Sequence, residues 1–134
     1  MGRSTTKLAM RGLDGRVVLL VEDHEDTRAM LAECFETHGA TVLTAPDAAS
    51  ARAVAAKRPI DLIVTDIAMP RESGIRMMMR MRSAGHLVTV PAIAISGQIR
   101  TEDLAEFQPG LFQAVLAKPF DPWRLVAIAT ELVS

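Results

Sequence analysis

From Arg16 onward the chain alternates short apolar runs with segments of helical period. The runs are Val17 to Val21, Thr41 to Leu43, Leu62 to Val64, Val90 to Ile95 (broken by Pro91) and Ala114 to Leu116. None alternates polar with apolar, so they predict strands buried on both faces of a parallel sheet. The first intervening helix is predicted over Asp26 to His38, apolar at Met30, Leu31, Cys34 and Phe35 and closed by Gly39. Pro46-Asp47 opens an alanine-rich helix that ends near Arg58-Pro59. Ser73 caps a third through about Arg82, with Ile75, Met78 and Met79 as its core stripe and Met77 and Met81 left to face a partner. Thr101 to Phe107 reads as a short fourth helix, stopped by Pro109-Gly110. Asp121-Pro122 opens the last, with Leu125, Ile128, Ala129 and Leu132 on one side. Successive βα units imply right-handed crossovers and helices on both faces. A closed barrel needs eight, so the expected fold is α/β, a doubly wound five-stranded parallel sheet.

Residues Met1 to Asp14 carry Arg3, Lys7 and Arg11 without periodicity and read as a mobile N-terminal arm before one domain over 15–134. Gly2 and Thr6 match a myristoylation pattern too loose to carry weight. The 134 residues hold 15 basic and 16 acidic side chains, a net charge of −1 that gives no bulk attraction to nucleic acid or anionic lipid. A single cysteine, Cys34, excludes an internal disulfide and fits a reducing compartment. No apolar stretch is long enough to span a bilayer and no signal peptide is visible, so a cytoplasmic protein is expected.

In open α/β sheets, ligands sit beyond the carboxyl ends of the strands. Glu22 and Asp23 follow the first run, Asp66 ends the third, Ser96 follows the fourth and Lys118 the fifth. Three carboxylates at one rim repel one another by about 4 kcal/mol per pair at ~4 Å and an effective dielectric of ~20. Such a cluster calls for a cation, and oxygen ligands select Mg²⁺ over zinc. Lys118 adds a positive charge suited to an anionic oxygen, and Ser96 a hydroxyl with room beside it at Gly97. A cation, a lysine and a hydroxyl around one carboxylate describe a phosphoryl-transfer site with Asp66 as nucleophile.

The stretches Leu19 to Asp23, Asp61 to Pro70 with Gly74 beyond, Ala94 to Gly97 and Leu116 to Phe120 resemble the receiver domain of two-component response regulators. The resemblance runs from about Arg16 to Val133. It implies a flavodoxin-like (βα)5 fold with strand order 2-1-3-4-5. It implies that Asp66 accepts a phosphoryl group from a phosphohistidine of a sensor histidine kinase or a histidine phosphotransfer protein. Glu22, Asp23, Asp66 and the Ala68 carbonyl would hold Mg²⁺, and Lys118 and Ser96 would contact the phosphoryl oxygens. The bond before Pro119 would be cis. Ser96, with the position of Val115, would form the switch read by a downstream protein on the face of the fourth helix, fifth strand and fifth helix. Such a module is a signalling phosphoacceptor that assists its own phosphorylation and dephosphorylation, not a turnover enzyme, and acts as a monomer or weak dimer.

Two positions depart from that pattern. Val115 stands where many receivers carry an aromatic, and its stiff side chain sweeps little volume. Ala68 stands where many carry a polar side chain, so it cannot position an attacking water. A haloacid-dehalogenase-type phosphatase would need a second Asp at Ala68, and a pseudo-receiver would lack one of the acids or the lysine. The short span expects no attached output domain, leaving a free-standing regulator, a phosphate sink or the receiver segment of a hybrid kinase. His24 beside the acid pair reads as solvent-exposed, and His38 and His86 as helix-end and loop residues. Arg76 and Arg80 read as a solvated face rather than a nucleic-acid contact, and Trp123 as part-exposed near the downstream face.

Overall fold

The computed structural model describes residues 12–83, 85–97 and 109–134. In chain order they form β1 (Val17–Val21), α1 (Glu25–Thr37), β2 (Thr41–Ala45), α2 (Ala48–Lys57), β3 (Leu62–Asp66), α3 (Gly74–Arg82), a 3₁₀ turn (Gly85–Leu87), β4 (Ala92–Ser96), β5 (Ala114–Ala117) and a C-terminal helix (Pro122–Val133). All neighbouring strands run parallel, in the order β2-β1-β3-β4-β5. The helix expected over 101–107 and the arm residues 1–11, with Gly2 and Thr6, lie outside the described residues.

Alternation along each strand sends its side chains to two separate cores. Leu19, Val21 and Ile63 pack with Ala51 of α2 and with Ile75 and Met78 of α3. Val18, Leu20 and Val64 pack on the other face with Leu31 and Phe35 of α1 and with Leu125 and Ala129 of the C-terminal helix. A strand covered on both faces reads as a continuous apolar run, which is why β1, β3 and β4 were visible in the pattern. The edge strands differ: β2 exposes Thr41 and Thr44, and Val115 of β5 is 41% exposed. Among the described residues each has one neighbouring strand, so burial on both faces holds for the interior strands and fails at the edges.

Helix boundaries follow their capping chemistry. Asp47 accepts from the Ser50 N–H, Ser73 from the Arg76 N–H and Asp121 from the Trp123 N–H, with Pro122 opening the last helix. Gly39 closes α1 at φ 94°, a left-handed conformation that favours glycine.

Three expectations need correction. In α3, Met77 and Met81 are buried with Ile75 and Met78, while Met79 is 37% exposed. The stripe counts from Gly74, which lies against the sheet, and so runs 74, 77, 78, 81 rather than starting at Ile75. In the C-terminal helix the buried residues are Leu125, Val126, Ala129 and Val133, with Ile128 and Leu132 only packed at the margin. Leu13, assigned to the arm, is fully buried and its N–H donates to the His38 carbonyl at 3.0 Å. Leu13 packs into the core under α1 with Leu31 and Phe35.

Candidate functional site

Parallel pairing sets the carboxyl ends of β1, β3, β4 and β5 side by side. Asp66 pairs with Ile95 and Ser96 with Ala117, so the Asp66 carboxylate, the Ser96 hydroxyl and the residue before Lys118 share one rim. The Glu22 N–H donates to the Ala45 carbonyl at 3.1 Å, holding the β1 exit against β2. The Lys118 N–H donates to the Ser96 carbonyl at 2.7 Å, which keeps the lysine beside β4. The Lys118-Pro119 bond is cis.

Those constraints bring the expected side chains together. Lys118 Nζ donates to Asp66 Oδ2 at 3.0 Å and to Glu22 Oε1 at 3.4 Å. The Ala68 N–H donates to Asp66 Oδ1 at 3.2 Å. Glu22, Asp66 and Ser96 are buried, and Asp23 is half-buried. Burial drives the Glu22 carboxyl up to about 7, helped by a hydrogen bond with Asp66 and by its charge, while Lys118 pulls the other way. Burial also works to lower the Lys118 ammonium, but Asp66 and Glu22 outweigh it and hold the group above its ordinary value.

Glu22 Oε2, Asp23 Oδ1 and Ser96 Oγ are buried with no hydrogen-bond partner among the described residues. An unpartnered carboxylate oxygen in a protein interior costs free energy that only a ligand or a proton relieves. The donor set is mostly hard oxygen and carries more negative than positive charge, so it fits a divalent cation of the Mg²⁺ type. Glu22, Asp23, His24 and Asp66 each offer one ligand atom within 4.8 Å of the others.

The contacts that support the site were not legible in the sequence, although Thr65 and Gly74 lie in the motif stretches named above. Thr65 Oγ1 donates to the Asp66 carbonyl at 2.8 Å, and the Gly74 N–H donates to the Ile67 carbonyl at 2.9 Å. A Cβ at Gly74 would lie 2.2 Å from the Asp66 carbonyl oxygen, so only glycine lets α3 start there. Arg28 Nη1 donates to the Glu22 carbonyl at 2.9 Å. Beyond Asp66 the chain passes through Arg71 at φ 72°, and its neighbour Glu72 pairs with Arg52 and with Arg80. That loop is thereby tied to α2 and α3 by charges distant in sequence.

His24 is exposed, as expected, with 72% of its side chain accessible, but its Nδ1 lies 3.4 Å from both Glu22 Oε1 and Asp23 Oδ1. His38 ends α1, where its Nδ1 donates to the Cys34 carbonyl at 2.8 Å. Trp123 is 62% exposed but stands edge-on to His38 at 5.1 Å. Its exposure is as expected, and it lines a groove between α1 and the C-terminal helix with Met30, Cys34 and Val126.

The family profile for the response regulator receiver domain matches residues 18–130. A protein of Leptolyngbya boryana described as an uncharacterized 14.6 kDa protein is 34% identical, over 85% of this chain and 87% of that one. The sensor histidine kinase TmoS of Ectopseudomonas mendocina is 31% identical over 87% of this chain, which spans only 12% of the kinase. Among solved structures, the chemotaxis response regulator CheY4 of Vibrio cholerae superposes with a TM-score of 0.79 at 26% identity, covering 87% of this chain and 98% of that one. Matched over residues 18–130, most of its length, the chain belongs to the response regulator receiver domain family of two-component signalling.

Proposed function

We propose that this receiver accepts a phosphoryl group on Asp66, from a phosphohistidine of a sensor kinase or phosphotransfer protein, in a Mg²⁺-dependent reaction. The observation that carries the reading is Lys118 Nζ, 3.0 Å from Asp66 Oδ2 and 3.4 Å from Glu22 Oε1, in a pocket where Glu22 Oε2 and Asp23 Oδ1 accept no hydrogen bond among the described residues. Mg²⁺, when bound, would neutralise charge on the transferring phosphoryl oxygens. Glu22, Asp23, Asp66 and the Ala68 carbonyl are the residues that would hold it. An Asp66 oxygen attacks phosphorus as the bond to the donor imidazole nitrogen breaks, and that nitrogen leaves with its electron pair. Lys118 then shifts its ammonium from the carboxylate to a phosphoryl oxygen, and Ser96 Oγ–H donates to another. An open cleft lined by Thr27, Met30, Lys118, Pro119 and Phe120 leaves the lysine accessible to a donor.

Ser96 drawn toward the new charge would be the moving part of the response. Val115 contributes no aromatic rotamer change, because a valine has one dominant rotamer and here sits exposed on an edge strand. Signalling then passes through backbone displacement at the carboxyl ends of β4 and β5 to a protein target.

Acetyl phosphate with Mg²⁺ should add one hydroxylamine-labile phosphoryl group to the wild type and none to Asp66→Asn. Full labelling of Asp66→Asn would overturn the acceptor assignment, and labelling that persists in EDTA would overturn the cation requirement.

A further inference from the structure

We propose that His24 is a ligand of the divalent-cation site and shifts its selectivity away from Mg²⁺ toward Co²⁺ and Ni²⁺. The inference rests on the cation-site reading above and adds a nitrogen donor to it. His24 Nδ1 lies 3.4 Å from Glu22 Oε1 and 3.4 Å from Asp23 Oδ1. With one oxygen each from Glu22, Asp23 and Asp66 it forms a group whose atoms all fall within 4.8 Å of one another. Independently of that clustering, Glu22 Oε2 is buried on a fully buried residue and has no partner among the described residues. It marks a pocket built around something the protein itself does not supply.

The local backbone explains why the ring stands at the rim. His24 is the N-cap of α1, in an extended conformation at φ −81° and ψ 118°, yet its side chain makes no capping hydrogen bond. A residue at this position ordinarily turns its side chain back to an N–H of the first helical turn. Here the imidazole faces the carboxylates instead, on a side chain 72% exposed and so free of packing that would impose the direction.

The chemistry of an added imidazole is selective. Carboxylate, carbonyl and water oxygens suit Mg²⁺, whereas imidazole favours the later first-row ions, in the order Mn²⁺ < Co²⁺ < Ni²⁺. Co²⁺ and Ni²⁺ accept the six-coordinate arrangement that such an oxygen-rich pocket offers, so His24 can join the set without displacing the carboxylates. If the ring were only an exposed base beside two acids, it would pair with them when protonated and leave cation preference untouched.

The test is calorimetric titration of the full chain at about pH 8, where an ordinary imidazole is neutral. Mg²⁺ and Ni²⁺ are each titrated alone and in the presence of the other, with the wild type, His24→Asn and Asp23→Asn. Asparagine keeps a capping side chain at the start of α1 and removes the ring. The ratio of the Mg²⁺ to the Ni²⁺ dissociation constant should fall by about tenfold or more in His24→Asn. In the wild type, Co²⁺ should also shift the His24 ring proton resonances. An unchanged ratio in His24→Asn, with both cations still competing for one site, would overturn the role of His24 and leave the site standing. If Mg²⁺ and Ni²⁺ do not compete, and Asp23→Asn weakens neither, the cation site itself is misplaced and the proposal falls with it.

Discussion

Glu22 is a carboxyl placed where its charge is hard to keep. Burial first, then the hydrogen bond and negative charge of Asp66, push it to about 7 from an ordinary 4.5. The folded protein therefore holds this proton more tightly than the unfolded chain does. The stability linked to it is complete below about pH 4.5 and is lost as pH rises through about 7. Cation binding needs the opposite state, the carboxylate. Two trends should follow in metal-free buffer and in Mg²⁺. Without metal, urea unfolding should show stability falling between about pH 5 and pH 8, a slope that Glu22→Gln removes. Over the same interval Mg²⁺ affinity of the wild type should rise, and a flat affinity profile would contradict the protonation of Glu22. The residues of this centre were legible in the sequence because they gather at the exits of buried runs, Glu22 and Asp23 after β1, Asp66 at the end of β3, Ser96 at the end of β4 and Lys118 after β5. Thr65, Arg28 and Glu72 were not. Their work is done on the Asp66 carbonyl, the Glu22 carbonyl and the arginines Arg52 and Arg80, contacts that exist only once the chain has folded.

At the scale of elements, α3 joins the two ends of the sheet. Its first residue, Gly74, touches the backbone of Asp66, and its last, Arg82, serves the opposite end. Arg82 donates to the carbonyls of Leu87 and Leu111 at 2.9 Å each, to the Val90 carbonyl and to Gln113 Oε1 at 3.3 Å. It thus gathers the segments that lead into β4 and β5. Gly74→Ala should destabilise by about 3 kcal/mol, because its Cβ meets backbone rather than a yielding side chain. The same change should weaken Mg²⁺ binding by displacing Asp66. Arg82→Met should cost about 2–4 kcal/mol by leaving several carbonyls without a donor, with Mg²⁺ affinity held, since the cluster lies at the far rim. Urea midpoints at constant slope, paired with metal titration, separate the two. If Arg82→Met impaired the metal site as much as Gly74→Ala, the division of α3 into two ends would be wrong. Which methionines face inward was the part of α3 hidden from pattern reading. The count began at Ile75, the first apolar residue, whereas packing begins at Gly74, whose missing side chain gives no apolar signal.

In the whole molecule, the sheet's order reverses between β1 and β3, with β2 on one side and β4 and β5 on the other. Helices leave to opposite faces at that point, and the crevice between them is where the acids gather. Hydrophobic periodicity alone does not give this order, because a buried strand looks the same wherever it lies in a sheet. The motifs that resemble a receiver carried that information, and the pairing of β1 with both β2 and β3 agrees with it. The reversal concentrates unpaired charge in one pocket of an otherwise well-packed fold, so global stability should respond to a ligand there. A cation that binds only the folded chain adds RT ln(1 + [L]/Kd), which at ten times the dissociation constant is about 1.4 kcal/mol. For a chain of this size that raises the melting temperature by roughly 4–6 °C. Mg²⁺ at that level should produce the shift in the wild type, while Asp23→Asn, which removes a half-buried carboxylate from the rim, should lose most of it. Sodium chloride at matched ionic strength screens surface charges alike in both proteins and provides the reference. Equal shifts in wild type and Asp23→Asn would mean that the added salt acts on the molecule's surface and not through the crevice at the strand ends.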